Sequence, residues 1–176
     1  MGRHMINIWV ISPFSHEYPE EWERVLQFNL QYGIASLGFR KLGDCSELDV
    51  DTIIKRHYDA YPDWEGRESG DAHQVARFYS EIQLDDVVLA RRGTKVLAAI
   101  GTVNRMPYYD DQLTVSVFPD DIAYPNHIGV DWRDEPRNLD FGRQIFGYLP
   151  FCSMDRDRFD AIADEFGFAE AVVWPD

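Results

Sequence analysis

Residues 85–103, DDVVLARRGTKVLAAIGTV, decide how this chain is read. Two runs rich in β-branched and apolar residues, Val87 to Arg91 and Lys95 to Val103, flank a tight turn at Gly93-Thr94. Such a pattern is an antiparallel hairpin. Upstream of it the apolar period is helical. Val50, Ile53, Ile54, His57, Tyr58 and Tyr61 recur at i, i+3, i+4, i+7, i+8 and i+11, with Asp49 at the cap and Pro62 beyond the end. His57 falls on the apolar face, which makes it a core histidine. A further helix from about Asp71 turns Val75, Phe78, Tyr79 and Ile82 inward. Pro62 to Gly70, between the two, reads as a polar loop.

Nearer the start, Ile6 to Ser12 reads as a strand ended by Pro13. Pro19 opens a helix with Glu20, Glu21 and Glu23 at its dipole-favoured first turn, Trp22, Val25, Leu26 and Leu30 as its apolar face, and Gly33 as its stop. Ile34 to Phe39 is a short strand closed by the turn Leu42-Gly43-Asp44. Downstream, Leu113 to Phe118 and Ile128 to Trp132 alternate as two more strands around a loop at 119–126. A last helix starts at Ser153 and Asp155, carries Phe159, Ile162, Ala163 and Phe166, and stops at Gly167. Helices early and antiparallel strands late predict an α+β fold, a curved sheet or small β-barrel flanked by helices. Residues 1–4 read as a cloning remnant, 5–141 as the main domain and 142–176 as a helical extension packed on it.

The charge is strongly acidic: 17 Lys+Arg against 31 Asp+Glu gives a net −14 over 176 residues. Two readings stay open. A bulk negative field repels nucleic acid, whereas 20 Asp and only 3 Lys also suit a protein working in high salt, where that field is screened. The cations that remain cluster at Arg40-Lys41, at Arg91-Arg92 with Lys95, and at Arg133 with Arg137. A hydrophobic share of 45 % supports a core, and no stretch reaches 18 apolar residues. A cytoplasmic protein without a membrane partner is expected.

Catalytic motifs are missing from the sequence. The five histidines have no metal spacing, two cysteines (Cys45 and Cys152) make no zinc site, and no phosphate loop or nucleophile elbow occurs. The pairs Asp85-Asp86, Asp110-Asp111 and Asp120-Asp121 read as solvated turns. No enzyme activity, cofactor or metal is expected. Aromatics, by contrast, sit at strand ends and in loops: Phe14, Phe39, Tyr108, Tyr109, Tyr124 and Trp132. At the rim of a curved sheet such rings suit a planar base.

The order of short motifs carries more than any one of them. Trp9-Val10-Ile11-Ser12-Pro13 is followed by Trp22, Gly33-Ile34-Ala35-Ser36-Leu37-Gly38-Phe39 and Gly43-Asp44-Cys45-Ser46. Then come Phe78 to Ile82, Asp85 to Gly93, Ile100-Gly101-Thr102-Val103, Tyr108-Tyr109 and His127 to Trp132. Over residues 7 to 141 this resembles the EVE-like branch of the PUA-like superfamily, relatives of YTH domains, as found at the N-terminus of McrB-type modification-dependent restriction proteins. The resemblance implies a module that flips a modified base of DNA into an aromatic cage for a restriction or defence system, with a AAA+ motor or nuclease in the same or a partner chain. By motif position the base contacts would be Phe39, Tyr108, Tyr109, Ser12, Phe14, Leu37 and Asp44, and the phosphate contacts Arg40, Lys41, Arg91, Arg92 and Lys95. Trp132 belongs to the core. The chain departs from the family where Phe14 replaces a glycine and Phe39 a tryptophan. Modified RNA, a protein-interaction role without nucleic acid, and a metal-dependent hydrolase using the Asp pairs are the competing readings.

Overall fold

The computed structural model describes residues 5–62, 71–118 and 122–175. The cloning remnant, the polar loop at 63–70 and the Asp120-Asp121 pair lie outside the described residues. In chain order the elements are β1 (Ile8–Ile11), α1 (Pro19–Tyr32), β2 (Ile34–Leu37), α2 (Val50–Ala60), α3 (Asp71–Glu81), β3 (Val87–Arg92), β4 (Val96–Tyr109), β5 (Asn126–Trp132), β6 (Leu139–Asp140), β7 (Phe151–Met154) and α4 (Arg156–Phe166).

The hairpin at 85–103 forms as read, turning at Gly93 with φ +58°, where only glycine is unstrained. The sheet grows from it on both sides, in the order β2-β5-β4-β3-β1-β7, with β6 beside β4. Among the described residues only β1 and β3 run parallel, and every other pair is antiparallel. The path ends at β2 and β7 without closing, so the fold is α+β on an open mixed sheet and not a closed barrel. It is nonetheless bent. β1 and β2 stand four strands apart, about 19 Å on a flat sheet at the usual strand spacing, yet their Cα atoms approach within 8 Å. Trp9 and Ile11 share one core with Ala35 and Leu37. The bending follows from register shifts along β4, opposite Ala90/Arg91 and again between Val103 and Tyr108, because bulges increase local twist.

Three cores result. The α2–α3 pair covers the concave cluster around Trp9, Phe78, Ile128 and Phe151. α1 packs Trp22, Val25 and Leu26 against Ala90, Ala98 and Ala99. α4 packs Phe159 and Ile162 against Ile8, Val10 and Leu97. Residues 142–176 are therefore more than a helix laid on the surface, since β7 pairs with β1 along its whole length.

Two expectations need correction. Leu113 to Phe118 is not a strand but a series of turns, with Val115 N–H bonding Gln112 O and Val117 N–H bonding Thr114 O. The Asp110 carboxylate accepts from the N–H groups of Gln112 and Leu113, a local competitor that outweighs the alternating pattern. Of the pair read as a solvated turn, Asp86 is fully buried. Its carboxylate accepts from Trp9 Nε1 at 2.8 Å, Gln83 N at 2.9 Å and Asn7 N at 3.0 Å. His57 is buried within the ring cluster of Phe39 and Tyr61, and Trp132 anchors in the core through Nε1–H bonds to the carbonyls of Asn29 and Ile34.

Candidate functional site

The residues expected to make the site divide into two neighbourhoods, joined by Tyr124. The first surrounds the end of β2. Phe39 adopts φ +62°, uncommon for a bulky side chain, and its ring lies 5.4 Å from His57 and 6.3 Å from Tyr61. The strained backbone ends the strand and starts the single helical turn at Arg40–Leu42. Asn126 stitches this end of the sheet together. Its Nδ2 donates to the carbonyls of Leu37 and Gly38, and its Oδ1 accepts the Tyr79 hydroxyl at 2.5 Å. Leu37 is therefore a core residue whose carbonyl is already engaged. Burial, reinforced by the thiol of Cys45 and the carboxylate of Asp44, pushes the Tyr79 phenol up and keeps it a donor.

Tyr109 faces the same way as Asn126, its cross-strand partner. Burial and the charges of Asp111 and Asp44 push its phenol up, and Arg40 pulls it back, so Arg40, Asp44 and Tyr109 do share a neighbourhood. Asp44 itself is engaged locally, accepting from the N–H and hydroxyl of Ser46. Lys41 reaches over the Tyr61 ring at 5.4 Å. Tyr108 does not join this group. Adjacent strand residues point to opposite faces, and Tyr108 lies against His127 under the Arg105 guanidinium, 3.6 Å from the ring centroid.

On that opposite face, the Ser36 hydroxyl and His127 Nδ1 are 2.7 Å apart, and His127 Nε2 lies 2.8 Å from the Asp110 carbonyl. A carbonyl only accepts, so Nε2 carries the proton and Nδ1 accepts from Ser36. Both residues are fully buried, which makes this pair a structural tie and not a nucleophile. Burial holds the His127 imidazole below its ordinary pKa.

The second neighbourhood is a cavity of about 340 Å³ where β1 ends. Ser12 and Phe14, both expected at the site, line it, and so do Arg91, His16, Tyr124 and Tyr148. Phe14 is locked by ring contacts to Phe118 (5.0 Å), Tyr18 (5.6 Å) and Tyr124 (5.8 Å). Tyr124 stacks on Phe118 and packs against Gly38, where an added Cβ would lie 3.0 Å from its ring. Burial pushes the Tyr124 phenol up to about 12. Tyr148, 80 % exposed, and Tyr18, 52 % exposed, leave aromatic surface at the rim. The Ser12 hydroxyl donates to the Phe14 carbonyl.

Arg91, expected on a phosphate-facing surface, is only 6 % exposed. The bulge that skips Ala98 turns it in, and its guanidinium donates to the carbonyls of Gly93, Tyr148 and Leu149. Arg92 lies over the Trp22 ring at 4.5 Å and faces Glu23, while Lys95 stays exposed. Sequence reasoning did not place Tyr124, Tyr148 and His16 at the site. Tyr124 carried a signal as a loop aromatic; Tyr148 and His16 carried none, because neither belongs to a periodic segment.

Among the described residues no group of three or more His, Cys, Asp or Glu could hold a metal ion, and no helix is long and apolar enough to cross a membrane. A family model described as a domain of unknown function (DUF8426) matches residues 9–146, and the chain belongs to that family. No curated protein matches it.

Proposed function

We propose that this member of the DUF8426 family is a binding module of PUA-like type. It takes a modified nucleobase, in DNA in preference to RNA, out of its strand and into the cavity at the end of β1. The observation that supports this reading is the cavity itself. It combines ring walls from Phe14, Tyr124 and Tyr148 with polar groups from Ser12, His16 and Arg91, and its size lies in the range of small-molecule sites. Flipping a base costs a few kcal/mol, and each stacked ring returns about 1–3 kcal/mol. Phe14 and Tyr124 stand at 66° to each other, so one stacks on the base while the other meets its edge, and Tyr148 closes the second face from the rim. Arg40, Lys41, Arg92 and Lys95 supply the cations for the flanking phosphates. The module serves a restriction or defence system in the cytoplasm, with the motor or nuclease on another domain or chain.

The test is anisotropy binding to duplexes that are unmodified or carry N6-methyladenine, 5-methylcytosine, 5-hydroxymethylcytosine or 5-carboxylcytosine, at low and high salt, with the same sequence as RNA. One modified duplex should bind more tightly and keep that preference at high salt, where phosphate contacts weaken. Phe14→Ala with Tyr124→Ala should lose the preference, and Phe39→Ala with Tyr109→Ala should weaken binding. Equal binding to every member, or none at any salt, would overturn the reading. The net charge of −14 would then favour a protein partner.

A further inference from the structure

One cavity of this acidic chain is lined without a single acid. The cavity of about 340 Å³ has ten lining residues, none of them Asp or Glu, in a chain with 31 acidic residues. The larger cavity beside α4, by comparison, sets Asp134, Glu135 and Glu170 against Arg137 alone. In the acid-free cavity Arg91 is 94 % buried, from an exposure of 6 %. Among the described residues no carboxylate lies within ion-pair distance of it, and its buried Nε has no hydrogen-bond partner. A buried guanidinium without a counter-charge is costly, because three carbonyl dipoles satisfy donors but do not neutralise charge. Burial lowers its pKa, offset in part by the nearby Cys152 thiol; an arginine nevertheless stays charged at neutral pH.

We infer that the ligand of this cavity is a planar ring bearing an oxyanion, and that the oxyanion meets Arg91. This rests on the base-binding reading and narrows it. A bare methyl group offers Arg91 nothing and displaces whatever water serves it, whereas a carboxyl on the base supplies the missing charge. Charge-assisted hydrogen bonds in a desolvated site are the stronger class, and one such contact corresponds to a preference on the order of ten-fold or more. Phe14 and Tyr124 hold the ring, and Tyr148, whose carbonyl fixes Arg91, covers it from the rim. A nucleotide phosphate is the other source of the same oxyanion.

The experiment follows the Arg91 Nε–H resonance of the whole ¹⁵N-labelled chain, assigned by its loss in Arg91→Lys. It is titrated with 5-carboxy-2′-deoxycytidine, with 2′-deoxycytidine and with deoxycytidine 5′-monophosphate. In parallel, duplexes differing only in a methyl, hydroxymethyl or carboxyl group on one cytosine are compared by anisotropy. The carboxylated nucleoside should shift Arg91, 2′-deoxycytidine should not, and the carboxylated duplex should bind about ten-fold more tightly than the methylated one. A shift by the monophosphate alone keeps the oxyanion and assigns it to phosphate. An unmoved Arg91 with tight binding to the methylated duplex overturns this inference and leaves the base reader standing. A shifted Arg91 with no duplex binding does the reverse. An unmoved Arg91 with all three ligands overturns the inference whatever the duplexes do.

Discussion

Asp86→Ala removes a fully buried carboxylate that ties β1 to the turn before β3. Three donors lose their acceptor: the Trp9 indole at 2.8 Å, Gln83 N–H at 2.9 Å and Asn7 N–H at 3.0 Å. Each buried donor left without a partner costs about 1–3 kcal/mol. Water entering the space left by the carboxylate recovers part of that, so the expected loss is about 3–5 kcal/mol. For a chain of this size that lowers Tm by roughly 6–20 °C. Asp86→Asn distinguishes the hydrogen bonds from the charge. Two donors converge on Oδ2 and one on Oδ1, so the amide oxygen best replaces Oδ2, leaving its NH₂ against Asn7 N–H. That single clash predicts a smaller loss of about 1–3 kcal/mol. Asp85→Gly is the control: the residue is exposed at φ +72°, so glycine relieves the backbone without touching the buried bonds. The assay is guanidinium unfolding followed by tryptophan fluorescence, with an unchanged m-value as the sign of an unchanged end state. A loss below about 1 kcal/mol for Asp86→Ala would refute the claim that this carboxylate organises the junction.

Three further outcomes follow from the same geometry. His127 is held neutral, so its folded pKa lies below the unfolded value of 6.5. The unfolded chain then binds more protons at this site below pH 6.5, and the His127 contribution to stability should fall as pH drops through that value and add no slope above it; an NMR titration in which His127 charges at or above 6.5 would contradict this. Gly38→Ala pushes a Cβ to 3.0 Å from the Tyr124 ring, which is backed by Phe118. It should cost about 1–3 kcal/mol and shift the Tyr124 ring resonances, while an unchanged Tm would show that Tyr124 has room to move. Asn126→Ala breaks the bonds to Leu37, Gly38 and Tyr79 and should lose about 2–4 kcal/mol, read by thermal unfolding; a loss matching that of Tyr79→Phe alone would mean the two carbonyl bonds contribute nothing.

What the chain discloses in sequence is what depends on near neighbours. The hairpin, α1, α2, α3 and α4 are legible because period, cap and stop residues lie within one element, as with Asp49, whose side chain does accept from Thr52 N–H. β7 is not legible, because Phe151 to Met154 is too short to show a period and becomes a strand only by pairing with β1. The same limit hides the cavity, whose walls come from four separated segments, at Ser12 to Phe14, Arg91, Tyr124 and Tyr148.

Some of what was misread left a trace. A cation in an acidic chain is read as exposed, but the neighbours Ala98 and Ala99 both pack into the cluster under α1 while Leu97 and Ile100 pack on the other side, and two residues in a row on one face break the two-residue period. That break marks the bulge that turns Arg91 inward. Likewise Trp9, certain to be buried on β1, carries an indole N–H that requires an acceptor, and a lone interior acid such as Asp86 is the natural supplier. Adjacent Tyr108 and Tyr109 on one strand cannot wall the same slot, by the alternation that defines a strand. Two residues that composition argues against being buried thus hold the two ends of β1, Asp86 at its start and Arg91 in the cavity where it ends. Each is placed by backbone geometry that the apolar pattern around it, not its own side chain, records.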